Sequence, residues 1–341
     1  MESLHSPTLI YATNSPMPDR IGRAVRLQNE KLNVDVLPDN GGRIASIRCR
    51  RTGTEFLLGG STYGAIAAFS EDAAFEESDC AGWDECLPTI SRASSDAGGF
   101  NAPDHGDLWR RPWTILEQTE NLITLSIECF SRPLTFTRAL HLESTRLRMD
   151  YRIVNRGDKA EPFLYACHPL FAVDEDDLVL LPSEVDSVRL HFSRGDRVGH
   201  PGEQLPWPLL RRAEQKTILN RVSDISTGSA EMFYVTSLRR GICALYRSQR
   251  QQAVVMRFSI ESLPVLGLWI CNGGWPEKAS ARKQYAVALE PTVAPFGSLA
   301  EAVASNAASV LQPHAEFNFS IEVGILGCDL PCTPEEVIQI L

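Results

Sequence analysis

Two residues of this chain stand where a proton could be moved. Glu290 closes the apolar run 285–289, and His168 follows the apolar run 163–167 and precedes Pro169. If the first run is a core strand, its terminal carboxylate emerges at the rim partly desolvated, which raises its pKa and makes it a better base at neutral pH. A surface ion pair at a strand end fits the same spacing. His168 taken alone reads as a hydrogen-bonding structural imidazole, with Pro169 removing a backbone donor and fixing an extended exit. His105, between Asp104 and Asp107, is either an imidazole oriented by a carboxylate or a loop residue.

These residues lie in stretches that mix polar, aromatic and Gly/Pro residues, as pocket-lining loops and strand ends do: 82–88, 104–109, 167–171, 268–275 and 288–292. Trp83, Trp109, Trp269 and Trp275 fall within them. Each could be a core filler, but as a set they suggest platforms for the C–H faces of sugars. His5, His141, His191, His200 and His314 have no comparable setting and read as surface or structural residues. A two-carboxylate hydrolase would need a second acid, for which Asp84, Glu85, Asp104 and Asp107 are candidates. The sequence lacks a Gly-x-Ser-x-Gly elbow and any phosphate-cradling or dinucleotide-binding glycine loop after a strand.

The elements that must position these residues are strands. Leu147, Met149, Tyr151 and Ile153 alternate with Arg148, Asp150 and Arg152, which is the period of a half-buried strand. The same alternation runs through 123–129, through 134–142 with Arg138 interrupting, and through 317–323. Further strands are expected at 25–27, 32–36, 44–49, 233–237, 242–246, 253–259 and 285–289. Two helices have start signals of the capping-box type, Ser298 with Glu301 and Thr333 with Glu336, the second with Pro334 in the first helical position. No βαβ rhythm or 20–50-residue repeat is present, so a large antiparallel β-sandwich is expected. Residues 1–20 read as a loosely held lead-in and 21–341 as a single sandwich domain.

Composition narrows the partners. A hydrophobic share of 43% supplies a sizeable core, and a net charge of −10 with scattered Lys and Arg leaves no basic stripe for nucleic acid. With no signal-peptide pattern and no apolar run of about 18 residues, the chain is expected to be soluble and cytoplasmic, with no membrane partner. Nine cysteines spread singly read as reduced structural thiols, without the paired spacing of a zinc site. Sandwich edges leave a monomer or a homodimer open.

In order along the chain, Asn40-Gly41-Gly42-Arg43-Ile44, Asp104-His105-Gly106 with Trp113 downstream, Cys167-His168-Pro169 and Leu289-Glu290-Pro291 resemble the motifs of the aldose 1-epimerase family of the galactose mutarotase-like superfamily. The resemblance covers residues 22–325. It implies a mutarotase-like sandwich with a sugar bound across the concave sheet and no metal or cofactor. By the same resemblance Glu290 is the general base at the anomeric hydroxyl, His168 protonates the ring oxygen, and His105 hydrogen-bonds the sugar nearby. The arginine and the middle-strand aspartate of the galactose mutarotases have no counterpart here; the corresponding stretches read Ser61-Thr62-Tyr63-Gly64 and, loosely, Gly195-Asp196. Arg43, Asp84, Glu85, Trp109 and Trp269 are therefore expected to read the substrate in their own way. That substrate is a sugar or a sugar phosphate, the latter needing a basic cluster for which Arg43, Arg110 and Arg111 are candidates. Two further readings share the fold: a carbohydrate-binding or regulatory protein without turnover, and a sugar lyase or hydrolase.

Overall fold

Alternating apolar residues build the longest strands, Leu134–Glu143, Arg146–Asn155 and Glu316–Leu326, each burying every second side chain. Arg138 does not break this pattern but occupies one of its inward positions, fully buried. The structure, a computed structural model, describes residues 23–60, 70–93, 101–212, 215–278 and 281–341. The expected lead-in at 1–20 and the stretch 61–64 lie outside the described residues.

The three long strands belong to an eight-stranded antiparallel sheet in the order Leu178–Leu180, Ile242–Arg247, Gln252–Phe258, Glu316–Leu326, Arg146–Asn155, Leu134–Glu143, Leu122–Glu128, Thr114–Gln118. One face is wet along Leu122–Glu128, Leu134–Glu143, Arg146–Asn155 and Glu316–Leu326, which is why these strands alternate, whereas Ile242–Arg247 and Gln252–Phe258 are buried on both faces, their outer face packing against Val337 and Leu341. The second sheet has ten antiparallel strands: Val25–Gln28, Leu32–Leu37, Arg43–Cys49, Trp83–Cys86, Ala166–Ala172, Tyr285–Thr292, Val265–Asn272, Ser229–Val235, Ser187–Ser193 and Gln204–Pro206. The two sheets close on one apolar core that joins Trp83, Phe171, Phe233 and Leu289 to Phe136, Met149, Met256 and Ile321. The antiparallel sandwich expected from the alternation is thus the fold of the chain.

The central strands of the ten-stranded sheet are buried on both faces, because loops cover the side turned away from the core. Burial on both faces erases the period-two signal, and the limits of these strands differ from expectation. The strand expected at 233–237 is Ser229–Val235, and it carries Glu231 buried against Arg197, Oε1 to Nε 2.7 Å. The strand expected to stop at 289 runs on through Thr292.

Both expected helices form, Leu299–Ala304 and Pro334–Ile340. Thr333 and Glu336 make the reciprocal capping box, at 3.2 and 2.7 Å. Ser298 does not cap with its side chain; the hydroxyl of Thr89 accepts from Leu299 N at 3.1 Å instead. The nine cysteines are free thiols, all buried except the half-buried Cys129. No helix among the described residues is long and apolar enough to cross a membrane.

Candidate active site

Register sets one row of residues across the ten-stranded sheet. Asp84 stands opposite His168. Ala166 pairs with Thr292 and Leu170 with Ala288, so His168 and Glu290, midway between, are level with each other. Glu290 faces Gly267, and Gly267 faces Tyr234. Alternate residues of a strand share a face, and with Trp83, Cys167, Leu289, Leu268 and Phe233 committed to the inter-sheet core, this row points the other way. Glu290 therefore sits within its strand on the covered face, not at its end, and His168 likewise lies inside a strand.

Gly267 makes room in the row. A Cβ there would lie 3.2 Å from Glu290 Oε2 and 2.8 Å from Met232 Cε, so any side chain would press on the carboxyl. A glycine inside a strand often marks such a close approach. Two loops then fold over the row. One carries Phe75 in a short 3₁₀ turn, and the other carries Asp104, His105 and Gly106. Gly106 has φ +72°, and a Cβ on it would stand 2.1 Å from Leu87 O, so the second loop can press onto the sheet only with glycine here.

The result is a cleft of about 530 Å³ with Glu290, His168, His105, Phe75, Tyr234 and Trp269 in its walls. His105 stacks on Phe75 with centroids 4.1 Å apart, and His168 meets both rings edge-on, at 5.1 and 5.2 Å. Farther out, Trp269 packs edge-on against Trp275 at 6.4 Å and leans on Phe192 at 6.1 Å, an aromatic wall suited to an apolar sugar face.

The two central groups are both kept neutral by burial. Glu290 is 3% exposed and has no hydrogen bond to a described residue; His168 Nε2 lies 3.8 Å from its Oε1. Burial without compensation pushes its carboxyl up to about 8. His168 is 8% exposed, and burial, aided by neighbouring His105, pushes its imidazole down to about 3. Its Nδ1 is buried with no partner.

Of the residues expected to touch substrate, His105 and Trp269 line the cleft with Glu290 and His168, whereas Arg43, Asp84, Glu85 and Trp109 do not. Arg43 closes off Asp84 with two bonds of 3.0 and 2.9 Å and bridges it to Asp79. Glu85 faces the opposite side, into the core, because it is one residue out of phase with the row. It is 0% exposed and is held by Arg138 Nη1 at 2.8 Å and the hydroxyls of Tyr151 and Tyr165 at 3.1 and 2.7 Å. Trp109 is buried behind Phe75, its indole N–H donating to Asp104 O at 3.0 Å. The structure places these four outside the cleft lining, behind or beneath its walls. Nor do the expected basic residues reach the cleft. Arg110 is spent on the carbonyls of Gly106, Ser70, Glu71, Ala73 and Asp104, and Arg111 on Glu71.

The cleft also uses residues that the sequence reading passed over: Phe75, His191, Met232, Tyr234 and Gly267. His191, set aside as surface or structural, is exposed and lies beside Tyr234 with centroids 5.2 Å apart. The glycine inside the apolar run 265–271 was a usable signal for a close approach; Phe75, in an acidic stretch without periodicity, offered none. Among the described residues no three His, Cys, Asp or Glu side chains are arranged to hold a metal ion.

The sequence matches no family model, and it matches no curated protein. Solved structures do resemble it. The Slr1438 protein from Synechocystis sp. PCC 6803 superposes with a TM-score of 0.66 at 18% identity, over 92% of this chain and 99% of that one. A galactose mutarotase related enzyme from Lactobacillus acidophilus superposes with 0.62 at 16% identity, over 89% and 97%. A galactose mutarotase-like protein from Lactobacillus casei ATCC 334 gives 0.62 at 14% identity, over 89% and 100%. With nearly the whole of both chains aligned in each case, this chain has the galactose mutarotase-like fold.

Proposed function

We propose that the protein is an aldose 1-epimerase that interconverts the anomers of an unphosphorylated sugar in this cleft. The observation that carries the reading is Glu290: a carboxyl buried, unpaired and raised to about 8, held 3.8 Å from an imidazole at the floor of a sugar-sized cleft. Uncompensated burial of a carboxyl costs stability, and such groups cluster where a base is needed. In the reaction Glu290 takes the proton of the anomeric hydroxyl as the bond from C1 to the ring oxygen breaks. Neutral His168 hydrogen-bonds the ring oxygen through Nε2–H and gives it that proton, becoming a transient imidazolate that takes the proton back from the same oxygen on reclosure. Rotation about C1–C2 and reclosure return both protons and yield the other anomer, with no external reactant.

The four carboxyls named for a hydrolase are engaged, and the cleft's remaining carboxyls besides Glu290, those of Glu76 and Glu277, are exposed. Asp84 and Glu85 are in buried ion pairs, Asp104 holds His105, and Asp107 accepts from Ser131 N and Oγ at 2.9 Å each. The carbohydrate-binding reading gives no reason to keep Glu290 unpaired.

The pH dependence follows from the direction of the Glu290 shift. A raised carboxyl stays protonated to higher pH, and a protonated base is inactive. The kcat/KM for anomer exchange is therefore expected to fall roughly tenfold per pH unit below about 8 and to level off above it. A profile flat down to about pH 5, the range of an ordinary carboxylate, would remove Glu290 from the base role.

Charge selects the substrate class. Among the described residues the lining carries Glu76, Glu277 and Glu290 but no Lys or Arg. A hexose 6-phosphate is expected to show kcat/KM at least about tenfold below that of the free hexose, since like charges meet without a counterion. Equal or faster exchange of the phosphate would exclude this substrate class.

A further inference from the structure

The most densely bonded group at the cleft is one the proposed reaction does not use. Asp104 commits both carboxylate oxygens: Oδ2 accepts from Phe75 N at 2.7 Å and Oδ1 lies 3.0 Å from His105 Nδ1. Its carbonyl is fixed in turn by Trp109 Nε1 at 3.0 Å and Arg110 Nη2 at 2.7 Å. His105 is held in a left-handed backbone conformation, φ 56°, with its N–H donating to Ile90 O at 2.6 Å. A non-glycine residue stays in that region only when its surroundings enforce it.

Asp104 and the orphaned nitrogen of His168 decide where the two imidazole protons sit. Although burial pushes the Asp104 carboxyl up, His105, the Phe75 N–H and Arg110 together outweigh it and leave the group below its ordinary range, so it is ionised and can only accept. A neutral His105 must then carry its proton on Nδ1, which leaves Nε2 a bare acceptor. In His168 the arrangement is reversed. Its buried Nδ1 meets no acceptor from another residue, and a buried N–H without a partner is costlier to leave than a lone pair. Its proton therefore sits on Nε2, beside Glu290.

We propose that Asp104 is a positioning residue that fixes His105 as an Nε2 hydrogen-bond acceptor, so that two adjacent histidines present opposite polarity to the sugar. A ring oxygen can only accept, so it fits at His168 and not at His105, where only a hydroxyl can donate. The pair thereby sets which way round the ring lies against Glu290. This specificity role rests on the epimerase reading of the cleft; the proton positions do not.

The test uses protein labelled with ¹⁵N at histidine and long-range ¹H–¹⁵N correlation spectra, together with anomer-exchange kinetics. In the wild type, His105 is expected to be protonated at Nδ1 and His168 at Nε2. Asp104→Asn offers His105 an amide N–H, moves its proton to Nε2, and is expected to raise KM about tenfold with a smaller change in kcat. Asp104→Glu keeps a carboxylate and should restore the wild-type pattern in part. A wild-type His105 protonated at Nε2 overturns the proposal without any variant, as does an Asp104→Asn protein with wild-type tautomer and KM. If no sugar is turned over, the epimerase reading fails while the tautomer pattern still decides the role of Asp104 toward His105.

Discussion

Replacing Glu290 by glutamine is expected to lower kcat for anomer exchange by about 10²–10⁴-fold, the range of a lost general base, with little change in sugar affinity. Glutamine keeps the size of the side chain. It fits the space beside Gly267 that lets the carboxyl stand there at all. Because nothing in the described protein hydrogen-bonds to Glu290, the substitution leaves no partner unsatisfied. Removing a buried ionisable group that costs the fold free energy should leave thermal stability equal or higher. The combination of less activity and no less stability is the mark of a functional group. A variant with wild-type kcat, or one that lost activity only by unfolding, would contradict the assignment.

The second large effect concerns stability. Arg138 and Glu85 come from opposite sheets and meet fully buried at 2.8 Å, with Arg138 also donating to Gly42 O and stacking over Trp113 at 5.0 Å. Two desolvated charges gain little as a pair, but removing one strands the other. Arg138→Met is therefore expected to lower the free energy of unfolding by about 3–5 kcal/mol, read from the urea midpoint. Glu85→Gln added to Arg138→Met should recover part of that loss, because the uncompensated charge is gone. A loss below about 1 kcal/mol for Arg138→Met would mean that the pair is not a buried charge pair in solution.

Sequence reading succeeded where one rule was enough. A polar residue at the end of an apolar run singled out Glu290 and His168, which the structure brings into one cleft, and a wet sheet face made four strands of the eight-stranded sheet legible through alternation. It failed where two rules were needed. Taken as a pocket-lining loop, 82–88 assigns no faces, so Asp84 and Glu85 look alike; as the strand Trp83–Cys86 it sends them to opposite sides. Arg138 looks like an interruption until Glu85 is seen across the core, a pairing over 53 positions that no local pattern carries. Phe75 and Tyr234 reach the cleft through register and loop packing, which composition does not reveal.

The claim that matters most is that this cleft exchanges anomers. Saturation-transfer NMR over a panel of free aldoses, wild type against Glu290→Gln, measures it directly. The account predicts accelerated exchange of at least one unphosphorylated aldose by the wild type and background exchange by the variant. Saturable sugar binding with exchange at the uncatalysed rate in both proteins would contradict it and make the cleft a binding site without chemistry.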